Sequence, residues 1–118
     1  MYNIKVESNF SSAHNLRGYK GKCEELHGHN WKVEAVVSMD KLDKTGVVLD
    51  FKYLEMKLNR ILEKLDHKYL NNIPYFKKVN PTSENIANYI YDSLKPEVIS
   101  LKSVTVWENN TSSATYEE

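Results

Sequence analysis

A single cysteine, Cys23, leaves no partner for an internal disulfide. No apolar run approaches the roughly 20 residues needed to cross a bilayer, and the first residues lack the basic and apolar regions of a secretory signal. The expected location is therefore the cytoplasm, where the glycosylation pattern at Asn109-Asn110-Thr111-Ser112 has no meaning. Charge of one sign is also missing: sixteen basic and sixteen acidic side chains cancel. That balance removes the electrostatic footprint of a nucleic-acid or membrane-surface binder and leaves room for a small polar or anionic ligand. No repeat, linker or low-complexity stretch divides the 118 residues. One domain over 1–118 is expected, large enough for a core yet small enough that association of copies helps cover apolar surface.

What is present is well ordered. Tyr2, Ile4 and Val6 alternate with Asn3, Lys5 and Glu7, the period of a strand with one buried face, and the pattern carries on to Phe10. Periodicity is lost over residues 15–26, which hold Gly18, Gly21 and the basic residues Arg17, Lys20 and Lys22, so a loop is expected. From His29, the set Trp31, Val33, Ala35 and Val37 alternates with Lys32, Glu34 and Ser38. This is a second strand, entered by His27 and His29 on its apolar face. Asp40–Gly46 reads as a charged turn, followed by the short apolar run Val47–Leu49 and a capping Asp50. Phe51, Leu54, Leu58, Ile61, Leu62 and Leu65 recur at spacings of three and four, which predicts an amphipathic helix over 51–65 ending at Asp66-His67. Asn71, Asn72 and Pro74 break the pattern, and a loop is expected as far as Asn80-Pro81. Thr82 then caps a second helix with Glu84 near its positive end, the stripe Ile86, Ile90 and Leu94 facing inward, and Pro96 as its stop. Leu101–Glu108 and Thr111–Tyr116 read as a closing strand pair turning at Asn109-Asn110. The order β-β-α-α-β-β indicates an α+β domain, an antiparallel sheet with both helices on one face.

The chemistry concentrates in Cys23-Glu24-Glu25-Leu26-His27-Gly28-His29, which holds the only cysteine and half of the histidines. On a strand, the period of two puts His27 and His29 on one face, and Gly28 between them permits close approach. Two imidazoles so placed can share a metal ion. His14, just past the first strand pattern, completes an open tripod of the kind Zn2+ takes at catalytic sites, with one position left for water or substrate. Cys23 admits three readings: a small buried hydrophobe, a fourth ligand closing a structural site, or a reactive thiol beside the metal whose thiolate serves as a base. Asp66 can orient His67 and raise its basicity, although helix-end capping explains that pair as well. Glu108 continues the Val104 and Val106 face and would be buried unless paired. A ligand with adjacent N–H donors, such as the amino-pyrimidinone edge of a pterin or guanine, would satisfy it; an exposed glutamate at a strand end is the plain alternative.

Taken together, Phe10-Ser11-Ser12-Ala13-His14, Cys23-x-x-x-His27-Gly28-His29, Asp50-Phe51, Leu65-Asp66-His67-x-x-Leu70-Asn71, Pro81-Thr82-x-Glu84-Asn85 and the late Glu108 with Tyr116 resemble the 6-pyruvoyl-tetrahydropterin synthase and 6-carboxytetrahydropterin synthase family. The resemblance runs nearly end to end. It implies the tunnelling fold, whose β-β-α-α-β-β subunits close their sheets into a barrel, usually as a homohexamer built from two trimers. It implies Zn2+ on His14, His27 and His29, with Cys23 as general acid/base and Asp66 and His67 as a proton relay reaching the site from a neighbouring subunit. Glu108 corresponds to the glutamate that anchors the pterin, and Thr82 and Glu24 join it among the substrate contacts.

The implied substrate is 7,8-dihydroneopterin triphosphate and the implied product 6-carboxytetrahydropterin, with acetaldehyde and triphosphate released, on the way to queuosine and other 7-deazapurines. Arg17, Lys20 and Lys22 are candidates for the triphosphate. Glu24 complicates the product, because relatives that form 6-hydroxymethyl-dihydropterin for folate use a glutamate three residues before the His-x-His pair; formation of 6-pyruvoyl-tetrahydropterin is a further alternative. Two rival classes remain: a non-catalytic zinc-binding domain closed by Cys23, and a pterin- or purine-binding module without turnover.

Overall fold

The computed structural model describes residues 1–118. Two strands of 13 residues open the chain, β1 (Tyr2–His14) and β2 (His27–Met39), and they pair antiparallel without a break from Tyr2↔Met39 to His14↔His27. At about 3.3 Å per residue such strands span roughly 40 Å, which is why the molecule is elongated, 52 × 23 × 23 Å. The strand expected to fade after Phe10 therefore continues through His14 itself. Inward parity is kept all the way, as Phe10, Ser12 and His14 are all buried.

Past the charged turn, α1 (Phe51–Glu63) starts where the Asp50 carboxylate accepts from the Lys52 amide at 2.9 Å. It ends two residues short of the expected Leu65, in the turn that carries Asp66 and His67. The loop expected over 71–81 is not wholly irregular. It holds a 3-10 turn at Leu70–Asn72 and a one-turn helix, α2 (Pro74–Lys78), with Pro74 at its first position, where a missing N–H costs nothing. Phe76 from this turn is fully buried, so three helices, not two, separate the strand pairs. α3 (Ser83–Leu94) begins at Thr82, whose hydroxyl accepts from the Asn85 amide at 3.0 Å. The chain closes with β3 (Leu101–Asn109) and β4 (Ser112–Glu117).

The sheet is antiparallel in the order β1-β2-β3-β4. Its inner face, with Val6, Phe10, Trp31, Val33, Ala35, Val37, Val104 and Val106, meets Leu54, Leu58 and Ile61 of α1 and Ile86, Ile90 and Leu94 of α3 in one core. The opposite face carries polar side chains. Among them Glu34 is only 8% exposed, held between the Lys5 ammonium at 2.9 Å and the Trp107 indole N–H. Burial alone would raise the Glu34 carboxyl, yet the hydrogen bonds from Lys5 and Trp107 outweigh it and hold the group below its usual range.

Leu58 is fully buried between the two long helices and the sheet, so Leu58→Ala is expected to cost about 2–5 kcal/mol of unfolding free energy. Asp50→Ala, which removes one cap bond, should cost about 1 kcal/mol. Urea titration followed by circular dichroism compares the two, and a Leu58 variant no weaker than the Asp50 variant would contradict the core described above.

Candidate active site

The histidines sit where the β1–β2 pairing runs out. Phe10 and Trp31 face each other across the ladder, their rings stacked at 5.8 Å and 7°. Beyond them the inward positions pass to imidazoles: the His14 and His29 rings stand edge-on to Trp31 at 4.9 and 5.0 Å. The apolar core thus ends in a patch of nitrogen donors, walled on one side by indole. His14 is 2% exposed. Burial pushes the pKa of both His14 and His29 below the ordinary imidazole value, so both rings are neutral at neutral pH, the state in which imidazole can bind a metal.

Their tautomers follow from the backbone. His14 Nδ1 lies 2.7 Å from the Pro81 carbonyl, and His27 Nδ1 lies 2.7 Å from the Glu25 carbonyl. A carbonyl only accepts, so each Nδ1 carries the hydrogen and each Nε2 presents a lone pair inward. Those two Nε2 atoms are 3.0 Å apart. Two neutral acceptors at that distance repel unless a proton or a cation lies between them. His29 Nε2 is buried and has no in-line hydrogen-bond partner, although Glu108 Oε1 approaches to 2.9 Å; the same oxygen is 3.5 Å from His14 Nε2. All four donor atoms fall within 4.8 Å of one another. Ligands about 2.0–2.1 Å from a tetrahedral zinc lie roughly 3.3 Å apart, so three imidazole nitrogens and one carboxylate oxygen suit a divalent cation in both spacing and chemistry.

Glu108 reaches this position through an irregularity in the sheet. The β3–β4 register shifts between Trp107↔Ser113 and Asn109↔Ser112, leaving Glu108 outside the regular pairing. Such shifts re-aim a side chain locally.

Cys23 is not among the four donors. It lies half-buried on a separate one-turn 3-10 helix, Lys22–Glu24, whose Glu24 is exposed. The structure therefore gives no support to a site closed by the thiol. Asp66 and His67 also stand apart from the cluster. Asp66 Oδ1 accepts from the Ser11 amide at 2.8 Å, which with His67 holds its carboxyl below the usual range, and Oδ2 lies 3.0 Å from His67 Nδ1. His67 adopts a left-handed φ of 54° that turns its ring outward, and its side chain is 82% exposed. The Thr82 hydroxyl is occupied in capping α3. One guanidinium nitrogen of Arg17, Nη2, donates to the carbonyls of Phe76 and Val79, fastening α2 to the loop, while the side chain as a whole is exposed. Lys20 and Lys22 are exposed.

Sequence reasoning did not find the carbonyls of Glu25 and Pro81 as tautomer-setting groups, nor Asn71 and Asn80 as structural partners. Backbone acceptors leave no residue-type signature, and the asparagines read simply as helix breakers.

The family model described as 6-pyruvoyl tetrahydropterin synthase matches residues 3–118. A protein of Synechocystis sp. named 6-carboxy-5,6,7,8-tetrahydropterin synthase is 39% identical over 122 residues, covering 98% of this chain and 93% of its own. One of Pyrococcus furiosus, named dihydroneopterin monophosphate aldolase, is 36% identical over 110 residues, covering 91% of this chain and 90% of its own. Among solved structures, the 6-pyruvoyl tetrahydropterin synthase of Caenorhabditis elegans superposes with a TM-score of 0.90 at 30% identity, covering 99% of this chain and 95% of its own.

The cluster makes a direct prediction: one Zn2+ or Co2+ per chain, with His27→Ala and His29→Ala each weakening binding by at least about 100-fold. Chelator competition measures the affinities, and a wild-type affinity retained in both variants would refute the site. The pH trend has a definite sign. His14 and His29 stay neutral below the ordinary imidazole value of 6.5, whereas the unfolded chain takes up protons there. Metal-free protein should therefore lose stability as pH falls below about 6.5, read as a drop in Tm between pH 7.5 and 5.5.

Proposed function

The chain belongs to the 6-pyruvoyl tetrahydropterin synthase family and is a lyase of that family, and from that premise we propose that it converts 7,8-dihydroneopterin triphosphate and water into 6-carboxytetrahydropterin, acetaldehyde and triphosphate. The equation balances: triphosphate leaves by elimination with its bridging oxygen, the two electrons the ring gains come from the side chain, whose first carbon is oxidised to the carboxylate with water supplying one oxygen, and the other two carbons leave as acetaldehyde. The observation that carries the reading is the convergence of His14, His27 and His29 on one point, with the tautomers of His14 and His27 already set for a cation. The 6-carboxy product is favoured by the Synechocystis relative, which matches almost the whole chain. Such a product enters queuosine and other 7-deazapurine synthesis, a cytoplasmic role for a chain in which no helix is long and apolar enough to cross a membrane.

His14, His27 and His29 would hold zinc, with Cys23 near it and unbound. When bound, the ion supplies Lewis acidity that stabilises negative charge developing on oxygen. Cys23 supplies the proton acceptor and donor, a role suited to a half-buried thiol on a short turn. His67, with Nδ1 against the Asp66 carboxylate, keeps Nε2 open to pass a proton onward. Because that ring projects away from its own chain, we assign it to the site of a neighbouring copy. The Glu108 carboxylate would accept the adjacent N–H donors of the pterin; its 2.9 Å approach to His29 Nε2 defines a competing role as a fourth ligand. Thr82, whose hydroxyl accepts from Asn85 and keeps its own hydrogen to donate, and Glu24 lie on segments flanking the histidines and would complete the substrate contacts. Assembly as two trimers, with the sheets closing into a barrel, would pair the outer edge of β4, whose only strand partner in the chain is β3.

A second reading has its own observation. Glu24 shares one 3-10 turn with Cys23, and the Pyrococcus relative is named for an aldolase reaction. Side-chain cleavage to 6-hydroxymethyl-dihydropterin is the corresponding outcome.

Incubation with dihydroneopterin triphosphate, followed by mass spectrometry, separates the readings: 6-carboxytetrahydropterin with acetaldehyde supports the first, and 6-hydroxymethyl-dihydropterin the second. Cys23→Ala should lower kcat by about 10²–10⁴-fold while sparing ligand binding. Glu108→Gln should weaken pterin binding without changing metal content. Metal loss in that variant would make Glu108 a ligand instead. Light scattering should return a mass near six chains of 13.7 kDa.

A further inference from the structure

The outer edge of β1 does not stop accepting partners at His14. From Ser11 onward, alternate residues bond to the same side. The Ser11 amide donates to Asp66 and the Ser11 carbonyl accepts from the His67 amide at 2.6 Å; the Ala13 amide donates to the Lys68 carbonyl at 3.0 Å. Beyond Ala13 no backbone runs alongside. Instead the Asn71 side chain takes both groups of Asn15, its Oδ1 accepting from the amide at 3.0 Å and its Nδ2 donating to the carbonyl at 2.8 Å. Asn80 repeats the arrangement on Arg17, at 3.0 and 2.9 Å. A primary amide has the donor and acceptor of a peptide unit, so each asparagine acts as a one-residue strand. Asn71 is 6% exposed and makes these bonds inside the protein; Asn80 is steadied by Asn85 Nδ2, which donates to its carbonyl at 2.9 Å.

In an extended chain the residue between two such partners turns its own groups to the opposite side. Leu16 does so, donating to the Cys23 carbonyl at 2.7 Å, while Asn15 Nδ2 donates to the Glu24 carbonyl at 3.1 Å. One residue further, the Glu25 carbonyl accepts from His27 Nδ1. The line of contacts therefore runs from the two asparagines, through residues 15–17, to the turn that bears the thiol and on to a histidine of the cluster.

We propose that Asn71 and Asn80 are positioning residues for Cys23: they complete the β1 edge with side-chain amides, and this fixes the 22–25 turn relative to the histidines. The inference rests on the reading of Cys23 as the group that moves protons. Both asparagines spend their side-chain amides on backbone groups, so their removal is expected to act on turnover and leave binding largely alone.

The test compares Asn71→Ala, Asn80→Ala and Asn71→Asp with wild type in the full-length, zinc-loaded protein. Both alanine variants should speed amide exchange at Leu16 and over residues 23–25 by about tenfold or more. They should lower kcat by about 100-fold, the scale for a catalytic group displaced by roughly 1 Å, and keep KM within about threefold and the metal at one per chain. Asn71→Asp, which retains the acceptor for the Asn15 amide, should recover part of the rate. In a Cys23→Ala background, Asn71→Ala should cause no further loss. Unchanged exchange, an unchanged kcat, metal loss in step with kcat, or a full additional loss in the Cys23→Ala background would each overturn the proposal. Cys23→Ala with undiminished turnover would overturn instead the reading of the thiol beneath it, whereas exchange reports on the clamp without any turnover. If Asn71→Ala fails to fold, the half-buried Asn80 carries the same comparison.

Discussion

Two imidazole nitrogens 3.0 Å apart, each with its hydrogen already committed to a carbonyl through the other ring nitrogen, are an arrangement a protein maintains only against their mutual repulsion. Much of the chain serves to hold that geometry. The pairing of β1 with β2 places His14 opposite His27, and a slip of β1 by one residue would turn its whole inward set, Val6, Phe10 and His14 included, to the polar face. The long core beneath opposes such a slip, since a shift of β1 would take out Val6 and Phe10, and one of β2 would take out Trp31, Val33, Ala35 and Val37. Hydrophobic burial thus fixes the register, and the register fixes the donors. The core contributes to chemistry only through this, but without it the donors would not meet.

The remaining functional segments have no such backing. The Cys23 turn, the Asp66-His67 turn and the Asn80–Thr82 loop are irregular backbone, which a core cannot specify. They are tied to the end of β1 by hydrogen bonds: His67 and Lys68 through backbone, Asp66, Asn71 and Asn80 through side chains. A strand extended past its regular partner becomes a frame on which separate loops are hung at fixed offsets. Directional bonds at 2.6–3.0 Å set position more sharply than apolar contact does. They also let the loops differ in conformation, as the left-handed His67 requires.

This division explains what could be read from the amino-acid order. The strands, α1, α3 and the histidine trio are written in side-chain periodicity: alternation puts His27 and His29 on the face of Trp31, and the 3–4 spacing from Phe51 to Leu62 yields the helix. The end of β1 was harder to see, because Ser12 and His14 occupy inward positions where apolar residues would mark a strand. α2 escaped for a similar reason, since Pro74 and the asparagines before it signal a break while Phe76 alone carries the burial. The structural part played by Arg17 was equally hidden, because charge on a loop says nothing of the carbonyls of Phe76 and Val79 that its Nη2 holds. In each case the missing information lay in backbone groups distant in sequence, which no local pattern encodes.

Glu108 shows how the two kinds of constraint meet. Parity along β3 places it on the buried side after Val104 and Val106, yet the end of a regular strand would leave its carboxylate with no defined aim. The register shift before Asn109 removes it from the ladder, and Asn109 Oδ1 accepts from the Thr111 amide at 2.9 Å, closing the turn. The carboxylate is then directed at His29 and His14, where it is the one acidic group among the imidazoles. A cation there is attracted by one charge and three lone pairs. The net positive charge left after a dication binds is what would draw and polarise an oxygen-rich ligand. A second carboxylate would neutralise that charge, and none is present among the four donors. The acid nearest in sequence to the thiol, Glu24, is instead exposed on its turn and outside the cluster.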